Sequence, residues 1–349
     1  MASLGFGTHC KSVLCSLFRD RWLLAAAVFI GSAAAVLPEK FFPLMGLYIG
    51  LVPASAVIAL GIVAGHAVHA SPSAPLPELR SRLSTLQPRL FVTVFISFLV
   101  LAAFTSFKVS IPAVSPFYAD PYLVALDRWL HGTDPWKIVR VFPEWMTRFV
   151  DFTYSQIWFA VALGILLNAA MFDSRAEFRR LVAMSFMIYA GLGIGLATLL
   201  SSVGPVFYDK YYADPQFPLL VKDIYQHGYA VTQIAMMDYL RAAASSNVFL
   251  VGTGISAMPS VHVAVAVSVA WYLSSRGPLA ASIGWAFAGL IMFGSVYTGW
   301  HYAVDGYVSF LLVTMLWFGL SAYYKLPSTF LAAADRPALP RASQLASGR

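Results

Sequence analysis

Long apolar runs separated by short polar or proline-containing turns dominate the chain from Trp22 to Tyr324. A helix crosses the hydrocarbon core of a bilayer with about 20 mostly apolar residues. Runs of roughly that length predict eight spans: Trp22–Leu37, Leu44–Ala70, Leu90–Phe107, Phe149–Phe172, Leu181–Val203, Pro259–Ser274, Leu279–Val296 and Tyr302–Tyr324. The first is short and leads into "SAAAV", which also suits a cleaved signal peptide. The spans behind it favour a retained helix. The expected fold class is all-α, a polytopic membrane helix bundle of about eight spans.

Composition agrees. Hydrophobic residues make up 59% of the chain and charged residues 11%, with a mean hydropathy of +0.71, which excludes a soluble globular protein. The net charge of +7 reads as membrane orientation. With a cytoplasmic N-terminus, fourteen of the 23 lysines and arginines fall on the inner segments, as the bias of cations toward the cytoplasm requires. No basic stripe suits phosphate tracking along a nucleic acid. Cys10 and Cys15 precede the first span and imply neither a disulfide framework nor a zinc finger. Three regions are expected: N-terminal membrane helices over 1–89, a main membrane domain over 90–326, and a small, polar, Pro-containing tail over 327–349 that reads as disordered.

Two long outer segments interrupt the spans. In Lys108–Arg148, the residues Leu123, Leu126, Trp129 and Leu130 predict a short amphipathic helix on the membrane interface. Trp136 and Trp145 suit the headgroup zone. In Gly204–Ser256, the stretch from Tyr225 to Ala244 predicts another short helix. Together the two segments would roof the outer face.

Two polar edges open toward that face. "PSVH", Pro259–His262, opens the sixth span, with the proline read as its first turn. A helix N-terminus offers free N–H groups and partial positive charge to an anion, and Ser260 and His262 add a hydroxyl and an imidazole. "HYAVD" places His301 and Asp305 four residues apart, on one face if helical. A carboxylate that holds one imidazole nitrogen fixes the tautomer and leaves the other nitrogen basic. Such a ring can attack phosphorus while a second histidine protonates the leaving oxygen. A structural His–Asp pair or a zinc site would use the same residues, but no cysteine or further histidine completes a ligand set. Ionisable side chains at membrane depth are usually functional.

"SAMPSVHVA" and "VYTGWHYAVDGY" resemble the type 2 phosphatidic acid phosphatase superfamily of integral membrane phosphoesterases. The resemblance implies a six-helix core with short interfacial helices in the outer loops and no cofactor or metal. It implies that His301 is the nucleophile that becomes phosphohistidine, Asp305 its orienting carboxylate and His262 the acid for the leaving group. Ser260, with neighbouring N–H groups, would bind phosphate. The family pattern Pro-Ser-Gly-His has Val261 at its glycine, and the family arginine falls on Ser295. The first family motif, Lys-x6-Arg-Pro, has only Lys108 and Pro112 here. These losses are similar to the branch of inositol phosphorylceramide synthases (the aureobasidin-target type).

With no arginine at Ser295, another cation should stabilise the equatorial oxygens. Lys108, Lys210, Lys222 and Arg241 are the outer-face candidates, Lys108 first because it ends the third span. Tyr297, at the start of the second motif stretch, is a further substrate-binding candidate. The expected activity is a lipid phosphotransferase on the periplasmic or lumenal side of a bacterial inner membrane or a Golgi-type membrane, with membrane lipids as donor and acceptor. Two alternatives remain: a lipid phosphate phosphatase that uses water, and a non-enzymatic lipid-binding protein or transporter.

Overall fold

The computed structural model describes residues 21–84, 88–141, 143–227, 231–243, 250 and 252–334. Cys10, Cys15, Ala244 and the tail beyond Ala334 lie outside them. Among the described residues every regular element is helical. The main helices are α1 (Arg21–Val36), α2 (Pro38–Ile49), α3 (Val52–Ala70), α4 (Pro75–Ser84), α5 (Pro88–Lys108), α6 (Asp120–His131), α7 (Glu144–Phe172), α8 (Arg175–Leu199), α9 (Pro205–Tyr211), α10 (Pro218–His227), α11 (Val231–Ala243), α12 (Val261–Ser274), α13 (Pro278–Tyr297) and α14 (Ala303–Tyr323). Six are long and apolar enough to cross a membrane, counting α2 and α3 as one, and α1 and α12 are shorter apolar helices. The all-α polytopic architecture is the one the sequence predicts.

Local chemistry moves several boundaries. The second run begins at Pro38 rather than Leu44, because a proline in its first turn tolerates the polar Glu39 and Lys40 there. The fifth begins at Ser174, whose side chain and that of Glu177 form a reciprocal capping box ahead of the apolar stretch. It closes at Leu199, after a π-helical segment over Met187–Leu196. Phe330–Ala334, in the tail read as disordered, is a short helix.

Polar contacts sort the helix ends into two layers. At the far end, the Trp22 indole donates to the Tyr324 hydroxyl at 2.7 Å, and Arg89 donates to the carbonyls of Ala170 and Asp173 at 2.6 and 3.0 Å. Arg276 pairs with Asp173 there, and Arg180 donates to Ser321 and to the Pro327 carbonyl. At the other end, Lys40 donates to Ser110 at 2.7 Å, and Tyr48 bonds Thr105 while accepting the Gly252 N–H at 3.0 Å. Chain direction therefore alternates through α1, α2–α3, α5, α7, α8, α12, α13 and α14. All the motif residues gather at the end marked by Lys40.

Helix α12 is the axis of the bundle. Its alternation of valine and alanine presents small side chains in every direction, and ten of its fourteen residues are buried. A Cβ on Gly284 would meet the Ala270 Cα at 2.9 Å, so α13 approaches this helix backbone to backbone. The apolar core of α7, α8, α12, α13 and α14 surrounds it. A second core joins α1–α3 to α5 and α7. Large apolar side chains such as Val28, Val57, Phe91, Leu279 and Met315 are exposed on the bundle's flanks, a surface that water would not tolerate and lipid covers.

The outer segments do form a roof. It has its own core of Val203, Phe207, Phe217, Leu220 and Met237, which packs onto Tyr302 and Val304 at the start of α14. Two helices, α10 and α11, occupy the region where one short helix over Tyr225–Ala244 is expected. In α6, Leu123 turns inward with Val124, Asp120 and Asp127, while Leu126, Trp129 and Leu130 stay exposed. That split fits a helix lying on the interface.

The two layers predict a labelling pattern. In a protein whose native Cys10 and Cys15 are replaced by serine, cysteines at the exposed positions Ala213 and Ser73 should react with an impermeant thiol reagent from opposite sides of the membrane. Modification of both from one side contradicts the alternation of the helices.

Candidate active site

The second motif works through a helix start, not a helix face. Helix α14 begins at Ala303 with Tyr302 as its cap, so His301 stands just ahead of it. Asp305 reaches back from the first turn. Its Oδ2 accepts the Tyr302 N–H at 3.0 Å and lies 3.3 Å from the His301 Nδ1. A better-placed partner of that nitrogen is the Ala257 carbonyl oxygen at 2.8 Å. A carbonyl only accepts, so Nδ1 must carry the proton, and Nε2 is left with its lone pair. Burial, and then the Lys108 charge, push the His301 imidazole down to about 3. The ring is therefore neutral at neutral pH, with its Nε2 lone pair unprotonated.

Asp127 holds the start of α14 in place. Its two carboxylate oxygens accept the N–H groups of Ala303 and Val304 at 2.8 and 3.0 Å, which end-caps the helix and complements its dipole. Asp120 accepts the Tyr302 hydroxyl at 2.9 Å and the N–H groups of Val203 and Gly204, joining the motif to the roof. Gly204 has φ +82°, and a Cβ there would lie 2.3 Å from the Trp300 carbonyl oxygen. Only glycine lets the chain cross so close to His301.

The Pro259–His262 stretch also differs in detail from its reading. Helix α12 begins at Val261, with Ser260 as its N-cap, and Pro259 precedes the helix after a cis peptide bond. The capping hydroxyl outcompetes the proline as the start signal. Ser260 is fully buried, and its Oγ accepts the Val263 N–H at 3.4 Å. Its hydroxyl is thus engaged by the helix, while the first-turn residues Val261 and His262 line the cavity. The His262 ring is stacked on Tyr154 at 4.4 Å and packed against Trp158 at 4.2 Å. The Trp158 indole also donates to the His262 carbonyl at 2.9 Å. His262 and His301 face each other with ring centres 6.4 Å apart.

Both rings open into a cavity of about 490 Å³ beneath the roof. Lys108 lines the same cavity and forms no ion pair among the described residues. Gly254, with φ +100°, brings the loop before α12 against it, since a Cβ there would sit 3.0 Å from the Lys108 Cγ. The remaining wall is mostly apolar, including Leu51, Phe104, Phe159 and Met236, with Gln233 and Thr298 among the polar exceptions. A large, mostly apolar chamber with a few convergent polar groups is the usual form of a small-molecule site.

The other candidates are not brought to it. Arg241 donates to the Tyr225 hydroxyl at 2.8 Å, and Lys210 donates to the Arg241 carbonyl at 3.0 Å. Lys222 is exposed on α10. Tyr297 is buried, with its hydroxyl on Thr147 at 2.5 Å and the Arg140 guanidinium over its ring. None of these four lines the cavity. Ser295, at the family arginine's place, donates its hydroxyl to the Met292 carbonyl, and its own carbonyl accepts the His301 N–H. Among the described residues, no three His, Cys, Asp or Glu side chains gather as a metal site.

Four contributors went unread in the sequence. Tyr154 and Trp158 sit inside an apolar run, where an aromatic pair four residues apart looks like core packing. The Ala257 carbonyl has no side-chain signature at all. Asp127 sits in "VALDRWL", where a lone acid amid apolar residues was the available signal.

Comparison with known proteins adds one match. A family model described as the PAP2 superfamily matches residues 121–319, more than half of the chain. Neither the curated proteins nor the solved structures give a match. The matched stretch runs from α6 into α14 and includes His262, His301 and Asp305, whereas Lys108 and α1–α5 precede it. The chain belongs to the PAP2 superfamily, and membership points to a lipid phosphatase or phosphotransferase.

Proposed function

We propose that the protein is a membrane lipid phosphotransferase in which His301 carries the phosphoryl group. The observation that supports this best is the convergence of three groups on one cavity: the Nε2 side of a tautomer-fixed His301, the facing His262, and Lys108. In this reading the donor's phosphorus lies between the two rings. Nε2 attacks it, the P–O bond to the lipid alkoxide breaks, and His262 gives that oxygen a proton. The N–Hδ1 bond to the Ala257 carbonyl and the Asp305 charge stabilise the imidazolium that forms. An acceptor hydroxyl then attacks the phosphohistidine, with His262 taking its proton.

Lys108 takes the place of the missing family arginine and, with the first-turn N–H groups of α12, balances charge on the equatorial oxygens. Ser260 sets the direction of that helix end. The resemblance to inositol phosphorylceramide synthases makes a phosphodiester donor and a sphingolipid acceptor the first pair to try. The site end faces the periplasm or an organellar lumen, as the cation bias suggests. Water as acceptor gives the phosphatase reading.

The direct assay incubates purified protein with radiolabelled phospholipids, with and without ceramide or diacylglycerol, and follows the headgroup. Transfer of label into the acceptor lipid is expected. Label released only into water makes the protein a phosphatase, and no reaction with any donor rejects both readings.

Three substitutions separate the roles. His301→Ala should abolish turnover. Asp305→Asn should be milder than a carboxylate acting alone would be, because the Ala257 carbonyl still fixes the tautomer. Losing one charged hydrogen bond, about 2–3 kcal/mol, lowers kcat by about 30- to 150-fold. A loss as complete as that of His301→Ala would show that the carbonyl does not suffice. His262→Ala should spare donors with a weakly basic leaving group, such as p-nitrophenolate, far more than lipid alkoxides. Lys108→Met should lower kcat by about 10²–10³ for every donor.

The neutral His301 also fixes the acid side of the pH profile. Its pKa is depressed, so the basic form persists as pH falls through the ordinary imidazole range. With a phosphodiester donor, whose own charge is constant there, kcat/KM should hold its value down to about pH 5. A fall centred near pH 6.5 contradicts a buried, neutral nucleophile.

A further inference from the structure

The active-site cavity does not end at the histidines. A second, smaller cavity of about 110 Å³ lies deeper in the bundle, between α1, α5, α7, α8 and α12. Leu101, Phe159 and Tyr189 line both, so the two spaces share a wall and are stacked along the helix axes. Among the described residues, no charged side chain lines the deeper one. It exists because the surrounding helices turn small residues toward it: Ala26 on α1, Ser97 on α5, Ala162 on α7, Ser185 on α8 and Ser268 on α12. Each leaves volume that a leucine at the same place would fill.

We propose that this deeper cavity receives one hydrocarbon chain of the lipid whose phosphoryl group lies at His301. The proposal rests on the lipid phosphotransferase reading and adds where the chain goes: inside the bundle, not along its outer surface. Three observations meet here. The charged and imidazole side chains lie at one end, with Lys108 and the histidines above, while the described residues around the space below are mostly apolar, with three serines. Burying apolar surface is favourable by about 25 cal/mol per Å², and this space adjoins a site that, on the phosphotransferase reading, takes a lipid. The depth also fits. Along α5, from Lys108 to Ile96, a rise of 1.5 Å per residue gives about 18 Å. One leaflet's share of a bilayer core is about 15 Å, so a chain of ordinary membrane-lipid length reaches the deep end.

The deep wall is built partly by Trp22, Leu23 and Ala26 of α1, which lie outside the residues matched by the family model. The N-terminal helices would therefore set chain length and shape for this chain's own substrate, while the matched region supplies the chemistry.

Photolabelling tests this without turnover. The full-length protein in vesicles would be given a phospholipid with a diazirine at the end of one chain, and the adduct located by peptide mass spectrometry. Adducts on Leu23, Ala26, Ile96 or Val100 are expected, reduced by excess unlabelled lipid. Adducts confined to outward side chains such as Leu24, Val28, Phe91 and Phe95, or none, would overturn the proposal. A kinetic arm separates it from the parent reading. Ser97→Leu and Ser185→Leu should each lower the ratio of turnover with long-chain to six-carbon donors by about tenfold. An unchanged ratio in both variants counts against chain binding. Deep labelling in a protein that turns over no donor would keep the chain site and reject the phosphotransferase.

Discussion

The site is organised around one proton. His301 holds it on Nδ1, because the group 2.8 Å away is the Ala257 carbonyl, which can only accept. With that proton fixed, Nε2 has a lone pair and the cavity is where it can be used. The constraint reaches far into the fold. Ala257 is held to the roof by its N–H on the Ser202 carbonyl, and Met258 by its N–H on the Ser202 hydroxyl. Asp120 fixes the neighbouring Val203 and Gly204 and the Tyr302 hydroxyl, and Asp127 fixes the first turn of α14. Two loops and a helix start must all be in register for one imidazole to face the cavity in the right tautomer.

The second constraint is charge. A cation shielded from bulk water costs several kcal/mol unless something compensates it, and Lys108 lines the cavity with no ion pair among the described residues. Phosphate is a natural counter-ion. In the proposed reaction that cation, which comes from α5, would take the part of the arginine that is absent at Ser295. Gly254 is the local condition for that position, since any side chain there would press on the Lys108 stem. The roof, the extra N-terminal helices and the loop before α12 thus act together on the same small volume.

Much of this was legible in the sequence, for physical reasons that differ residue by residue. The apolar runs had to be helices, because a bilayer leaves the backbone no other way to satisfy its hydrogen bonds without closing a barrel. His262 and His301 stood out because imidazoles at the edges of such runs are rare. Boundaries were less legible. Pro259 and Ser260 both mark helix starts, and only the three-dimensional cap showed that Ser260 wins. The His301–Asp305 spacing was right, but its geometry is a reach back across a helix start. Arg241 and Tyr297 looked available because sequence shows charge and position, not existing partners. The Ala257 carbonyl could not have been found, since any residue has one.

The central claim is that His301 Nε2 bonds covalently to phosphorus. The most direct measurement is to mix enzyme with a donor labelled at phosphorus, quench with alkali within a turnover, and map the labelled site by mass spectrometry. Acid-labile, alkali-stable label on His301, attached at Nε2, is the predicted result. Label on His262, or turnover with no label on either histidine under conditions that preserve phosphohistidine, would contradict the account.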